Sequence, residues 1–279
     1  MIVEEQNRIA GASGVVNKAA DLRSYQVLGV RVHVVQMSSA LEQLRSWIDG
    51  PKTTARYVAV SAMHTIAESR HNDDYRLVLN EADLTVPDGM PLVWFGRILG
   101  FPQSRVCGTE LFDNFCRETG NAYRHFFFGG APGVAERLAQ AFQEKYGIVI
   151  AGTYTPPYRA LTDVEEKELV SLVDETSPDV FWVGLGSPKQ EKWMHEYRHK
   201  LKVPVMLGVG AAFDVHCGDF PRAPRWMCDT GLEWLFRLAS EPRRLWKRYL
   251  ITIPETVWCV FLELLRPKFR IADKEVRKP

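Results

Sequence analysis

No two cysteines in this chain form a C-x-x-C pair; Cys107, Cys116, Cys217, Cys228 and Cys259 are odd in number and scattered. That pattern excludes a disulfide scaffold or a zinc knuckle and suits a reducing compartment. An excess of one charge is also missing. Lys and Arg number 35 against 34 Asp and Glu, a net charge of +1, so the whole chain is no polyanion binder and nucleic acid is not an expected partner. The opening residues, MIVEEQNRIA, put acidic side chains where a secretory signal needs a basic start and an apolar run. Long hydrophobic runs are lacking as well. The most apolar stretch, Ile251 to Leu265, spans 15 residues and includes Glu255 and Glu263, short of the ~20 apolar residues of a spanning helix.

What is present is ordinary globular composition, 46% hydrophobic and 25% charged, which excludes disorder, collagen and coiled coil as the main architecture. A length of 279 residues allows one large domain or two ordinary ones. Residues 1–24 are polar and small, and read as a loose leader. Residues 25–221 alternate short apolar runs with amphipathic stretches. Strands are expected at Val27–Val35, Arg56–Val60, Leu84–Val86, His125–Phe128, Ile148–Thr153, Val180–Gly184 and Val205–Val209. Helices are expected at Ser39–Ile48, Met63–Leu79, Met90–Leu99, Gly108–Thr119, Gly133–Tyr146, Asp163–Thr176 and Lys189–Leu201. This alternation predicts an α/β fold with a Rossmann-like, mostly parallel sheet flanked by helices.

Residues 222–279 differ in character. Thirteen basic and seven acidic residues lie there, among many Trp and Leu and broken by Pro224, Pro242, Pro254 and Pro267. The segment reads as a basic helical C-terminal appendage. Trp and Leu faces with arginine flanks suit core packing, and they suit the headgroup region of an anionic membrane equally.

Ligands bind at the carboxyl ends of parallel strands, so the loops that follow strands are where chemistry is expected. Asp88, in Val86-Pro87-Asp88-Gly89, sits at such a loop as either a turn residue or an acid able to act as base or ligand. Three glycine-bearing loops follow other strands: Gly129-Gly130-Ala131-Pro132-Gly133, Gly184-Leu185-Gly186-Ser187-Pro188-Lys189-Gln190, and Gly208-Val209-Gly210-Ala211-Ala212-Phe213-Asp214. Each is either a tight strand-to-helix turn or a place where backbone N–H groups meet a diphosphate, with Lys189, Gln190 and Asp214 adding side chains. None of them is a G-x-G-x-x-G turn or a Walker loop. His195-Glu196-Tyr197-Arg198-His199 matches the H-E-x-x-H zinc pattern, but its lysine- and arginine-rich surroundings read as a solvated helix face. No acidic D-x-D pair follows an apolar strand, no G-x-S-x-G elbow is present, and His64 and His216 read as polar loop residues.

Taken in order, NEADLTVPDGMPLVW (Asn80–Trp94), RVCGTEL (Arg105–Leu111), FFFGGAPGVAE (Phe126–Glu136), VGLGSPKQEKW (Val183–Trp193), GVGAAFD (Gly208–Asp214), RAPRWM (Arg222–Met227) and GLEWLFRLASEPRRLWKRYL (Gly231–Leu250) resemble the WecB/TagA/CpsF glycosyltransferases of bacterial cell-surface polysaccharide synthesis. The resemblance runs from about Val27 to Phe261. It implies a UDP-sugar donor, a polyprenyl-diphosphate-linked sugar acceptor, inversion at the anomeric carbon, and neither metal nor other cofactor. It also implies work at the cytoplasmic face of the membrane, through a peripheral C-terminal appendage that completes the site. Asp88 matches the family's proposed base. Arg237, Arg244 and Lys247 match residues held to contact the diphosphate, the last usually an arginine, whose bidentate fork a lysine lacks. One departure stands out. Val60-Ser61-Ala62 replaces a T-x-N pattern whose polar residues help form the site, so Ser61 or His64 is left to compensate. A Rossmann-type oxidoreductase and a non-catalytic nucleotide- or membrane-binding protein of the same fold are the competing readings.

Overall fold

The computed structural model describes residues 22–51 and 54–265. The expected leader therefore lies outside the described residues except for its last three positions, as do residues 266–279 of the expected appendage. Six strands, β3 (Arg56–Ser61), β4 (Leu84–Pro87), β5 (Arg124–Gly129), β6 (Val149–Tyr154), β7 (Val180–Gly184) and β8 (Val205–Gly208), form one parallel sheet in the order β4-β3-β8-β7-β5-β6. Parallel pairing needs crossovers, and helices supply them on both faces. The flanking helices are α1 (Met37–Asp49), α2 (Met63–Ser69), α3 (Asp73–Asn80), α4 (Met90–Ile98), α5 (Gly108–Thr119), α6 (Val134–Tyr146), α7 (Asp163–Thr176), α8 (Lys189–Tyr197) and α9 (Ala212–His216).

Strand residues alternate between two cores, as a two-residue period requires. Phe126, Phe128, Phe181 and Met206 enter one core with Tyr57 and Tyr75; Phe127, Trp182 and Leu207 enter the other with Phe112 and Phe115. The expected α/β architecture with a parallel sheet is what forms. Helix α7 starts on a capping box, in which the Glu165 amide donates to Thr162 Oγ1 and the Thr162 amide donates to Glu165 Oε2.

Three expectations need correction. The single strand Val27–Val35 is an antiparallel hairpin of β1 (Ser24–Val27) and β2 (Val30–His33), outside the main sheet. Leu28 and Gly29 turn the chain with φ of 49° and 82°, the double positive φ of a tight hairpin turn. His33 Nδ1 accepts the Thr85 amide at 2.9 Å, tying the hairpin to edge strand β4. The helix expected over Met63–Leu79 is two, α2 and α3, and Asn72 caps the second by accepting the Tyr75 amide. Neither His64 nor His216 is in a loop; they lie on α2 and α9.

Beyond residue 221 come α10 (Arg225–Asp229), α11 (Glu233–Ser240), α12 (Pro242–Lys247), a π-helical turn (Arg248–Thr252) and α13 (Ile253–Leu264). These helices fold back on the body. Val260 and Thr256 of α13 are buried. Glu255 pairs with Arg70 at 3.2 Å, and Glu263 accepts the Leu28 amide at 2.8 Å. The two acids that interrupt the apolar stretch are thus its anchors to the body. Among the described residues no helix is long and apolar enough to cross a membrane.

Candidate active site

Asp88 follows β4 at the carboxyl edge of the sheet. Its amide donates to Ser61 O at 2.8 Å, and the Val106 amide donates to Pro87 O at 2.9 Å, drawing the segment before α5 across the strand end. The Gly108 amide, at the N-terminus of α5, donates to Asp88 Oδ1 at 3.2 Å. Gly108 fits because it lacks a side chain: a Cβ there would lie 3.3 Å from Val60 Cγ1. On the other side, a Cβ on Gly89 would meet that of Ala62. Val60 and Ala62, where the resemblance has polar residues, therefore flank the loop that carries Asp88. Ser61 is buried and its hydroxyl has no partner among the described residues. Burial and the Glu233 carboxylate push the Asp88 pKa above the ordinary carboxylate range, against the pull of Arg237 and Arg105.

Cations reach this acid from two directions. Arg105 comes from the body and Arg237 from α11. Glu233 joins them, accepting from Arg105 Nη1 at 2.7 Å and from Arg237 Nε at 3.0 Å. Arg105 also lies 3.5 Å from Glu110, which pairs with Arg222 at 2.8 Å. Burial pushes Glu233 upward, but the two guanidiniums outweigh it and hold the carboxyl below its usual range. Arg105, Glu233, Arg237, Arg244 and Asp214 line one cleft between the body and the C-terminal helices. Asp88 adjoins that cleft through its neighbours Cys107, Arg105, Glu233 and Arg237. The Cys107 thiol is buried beside Asp88, and that burial and the Asp88 carboxylate push its pKa up, favouring the thiol over the thiolate.

Half-buried His64 faces the same cations, and burial with Arg248 and Arg237 pushes its pKa down to about 3, so it is neutral. Arg248, on the π-helical turn, is half-buried near Arg237 and Arg244. Lys247 is not brought into this group. It is exposed, with its ammonium 5.6 Å from the Trp246 ring centre.

The glycine loops all lie on the carboxyl edge, but much of their hydrogen bonding is internal. Gly129 has φ of 121°, and a Cβ there would lie 2.6 Å from Gly184 O. The Gly130 amide donates to Gly184 O at 3.1 Å, and the Gly186 amide to Gln190 Oε1 at 3.2 Å. Gln190 is buried, and its Nε2 donates to Glu191 Oε1 at 2.8 Å. Ser187 and Tyr75 also donate to that fully buried carboxylate. Gln190 thus shapes the loop from within, while Lys189 is exposed at the start of α8 and Gly210 sits over Gln190 with φ of 55°. Asp214 lines the cleft, and burial and Asp219 raise its pKa.

The H-E-x-x-H match dissolves in three dimensions: α8 ends at Tyr197, His195 pairs with Glu81 at 2.6 Å, and Glu196 pairs with Lys200. Among the described residues no three His, Cys, Asp or Glu are grouped to hold a metal ion.

Arg105, Glu233 and Arg248 were not singled out from the sequence. A signal existed for each of the last two. Glu233 and Arg237 stand four apart on one helix, and so do Arg244 and Arg248 along the chain, which places each pair on one face.

The chain is 35% identical over 196 residues to an N-acetylglucosaminyldiphosphoundecaprenol N-acetyl-beta-D-mannosaminyltransferase of Bacillus spizizenii, covering 69% of this chain and 74% of the relative. A protein with the same description from Bacillus subtilis is 34% identical, covering 68% and 73%. Another from Staphylococcus aureus is 25% identical, covering 84% and 89%. Residues 25–270 match the model of the glycosyl transferase WecG/TagA/CpsF family. With that match spanning most of its length, the chain belongs to the WecG/TagA/CpsF family and is a glycosyltransferase.

Proposed function

We propose that this glycosyltransferase moves a sugar from a UDP-sugar to a polyprenyl-diphosphate-linked sugar, inverting the anomeric centre by single displacement without a metal. One observation carries the reading: a half-buried acid at a strand end, Asp88, shares its surroundings with guanidiniums from the body and from α11. The acceptor hydroxyl oxygen forms a bond to the anomeric carbon as the bond from that carbon to the UDP oxygen breaks. Asp88 takes the hydroxyl proton, and UDP carries away the electron pair. Its raised pKa makes Asp88 a better base than an exposed aspartate. The leaving diphosphate gains negative charge, which Arg237 and Arg244, lining one cleft with Arg105, stabilise.

The relatives' descriptions name a diphosphoundecaprenol-linked N-acetylglucosamine as acceptor, and a polyprenyl diphosphate is the acceptor class proposed here. Such a lipid stays in the bilayer, so the enzyme must come to it. Exposed Trp226, Trp246, Leu250, Trp258 and Phe261 beside Arg243 and Lys247 support peripheral binding to an anionic membrane surface at its cytoplasmic face. The experiment is UDP release from a panel of UDP-sugars, with and without a short-chain polyprenyl-diphosphate-sugar and with EDTA present. Acceptor-dependent release supports the reading; release that needs added Mg²⁺ or Mn²⁺ refutes the metal-free step, and none with any donor refutes the transfer.

A further inference from the structure

Glu233 is an acid in a basic segment, and it lies in the middle of the cations that the transfer step uses. Its two oxygens are divided: Oε2 takes Arg105 Nη1 at 2.7 Å, and Oε1 takes Arg237 Nε at 3.0 Å. The Arg237 side chain is 42% exposed, whereas Arg105 and the carboxylate are largely withdrawn from solvent, at 12% and 23%. An ion pair of this kind is far less screened than a surface pair.

The choice of nitrogen matters. Arg237 is held by Nε, and among the described residues its guanidinium makes no other hydrogen bond. A guanidinium pinned at Nε has its plane fixed, while both terminal nitrogens stay available for a bidentate contact with phosphate oxygens. Glu233 also links body to appendage, since Arg105 precedes α5 and Glu233 opens α11.

We infer that Glu233 is a positioning residue, which orients Arg105 and Arg237 around Asp88 and leaves the terminal nitrogens of Arg237 open to the leaving diphosphate. The inference rests on the transferase reading above. A second consequence is electrostatic. The groups facing Asp88 are the Gly108 amide of α5, the Cys107 thiol, Arg105, Glu233 and Arg237 of α11, and Tyr249 of the π-helical turn. Glu233 is the one carboxylate among them and raises the pKa of Asp88, against both arginines. Removing its charge therefore makes Asp88 more acidic and a weaker base.

The test compares full-length wild type, Glu233→Gln and Glu233→Asp in acceptor-dependent UDP release, measuring kcat, the donor KM and the pH profile of kcat/KM. For Glu233→Gln, kcat falls on the order of 10–100-fold and the acid limb moves to lower pH by about one unit. Glu233→Asp keeps the charge, so its acid limb stays at the wild-type position even if kcat falls. An unmoved acid limb in Glu233→Gln, whether kcat is normal or only the donor KM and thermal stability change, overturns the inference. Should Glu233→Gln fail to fold, an acid limb in Glu233→Asp displaced as far as one unit overturns it instead. Wild type that releases no UDP sinks the transferase reading, which is a separate result.

Discussion

The Gly108 amide points its N–H at Asp88 Oδ1 over 3.2 Å, so the acid at the end of β4 is held by the first residue of α5. That contact favours the ionised carboxylate, while burial and Glu233 favour the protonated one and prevail. A base must be ionised to accept a proton. Raising its pKa therefore makes activity fail at a higher pH as the solution is acidified. The acid limb of kcat/KM is expected above the ~3.9 of a free aspartate. A limb at or below that value contradicts the assignment of Asp88.

Arg248 and Lys247 separate an inward cation from an outward one. Arg248→Ala is expected to lower transfer to a water-soluble acceptor on the order of 10-fold or more, as for loss of a charge-assisted phosphate contact. Lys247→Ala, removing an exposed ammonium stacked on Trp246, is expected to change it by less than about 3-fold. Steady-state kinetics on both variants reads the order directly, and the reverse order refutes it.

The division between what the sequence revealed and what it hid has a physical basis. Hydrophobic runs between turn signals located all six sheet strands; β4, β7 and β8 are buried on both faces and so mostly apolar, whereas β6, at the sheet edge, is only partly covered. The hairpin at Leu28-Gly29 was hidden, since a turn made by one leucine and one glycine does not interrupt an apolar run. Asp88 was legible because its place after a strand and before a helix is local. Arg105 and Glu233 are 128 positions apart, and their meeting depends on how α11 docks, which no local pattern encodes. Gln190 read as a side-chain donor at a strand-end loop; it is buried, its amide lying where a Cβ on Gly208 would come within 2.9 Å.

The apolar surface of the C-terminal helices predicts a membrane phenotype distinct from chemistry. Trp258 and Phe261 are exposed neighbours on α13, with ring centres 5.6 Å apart. Changing both to Glu is expected to weaken sedimentation with anionic vesicles by about 10-fold or more, while turnover of a water-soluble acceptor holds. Unchanged vesicle binding would place the membrane surface elsewhere.

Gly129→Ala tests the packing that sets the loops. Its φ of 121° suits glycine, and a Cβ would come 2.6 Å from Gly184 O, so strain and clash act together. Destabilisation of about 2 kcal/mol or more in urea unfolding is expected. Wild-type stability would mean that β5 and β7 can move apart at their ends.

The central claim is that Asp88 takes the acceptor's proton, and Asp88→Asn tests it most directly. The amide keeps the size and the contact with Gly108 but cannot serve as base. Donor binding, measured by calorimetry with the UDP-sugar, is expected to stay near wild type, while turnover with lipid acceptor in EDTA falls on the order of 10²–10⁴-fold. Turnover within a few-fold of wild type would contradict the account and leave Asp88 a turn residue.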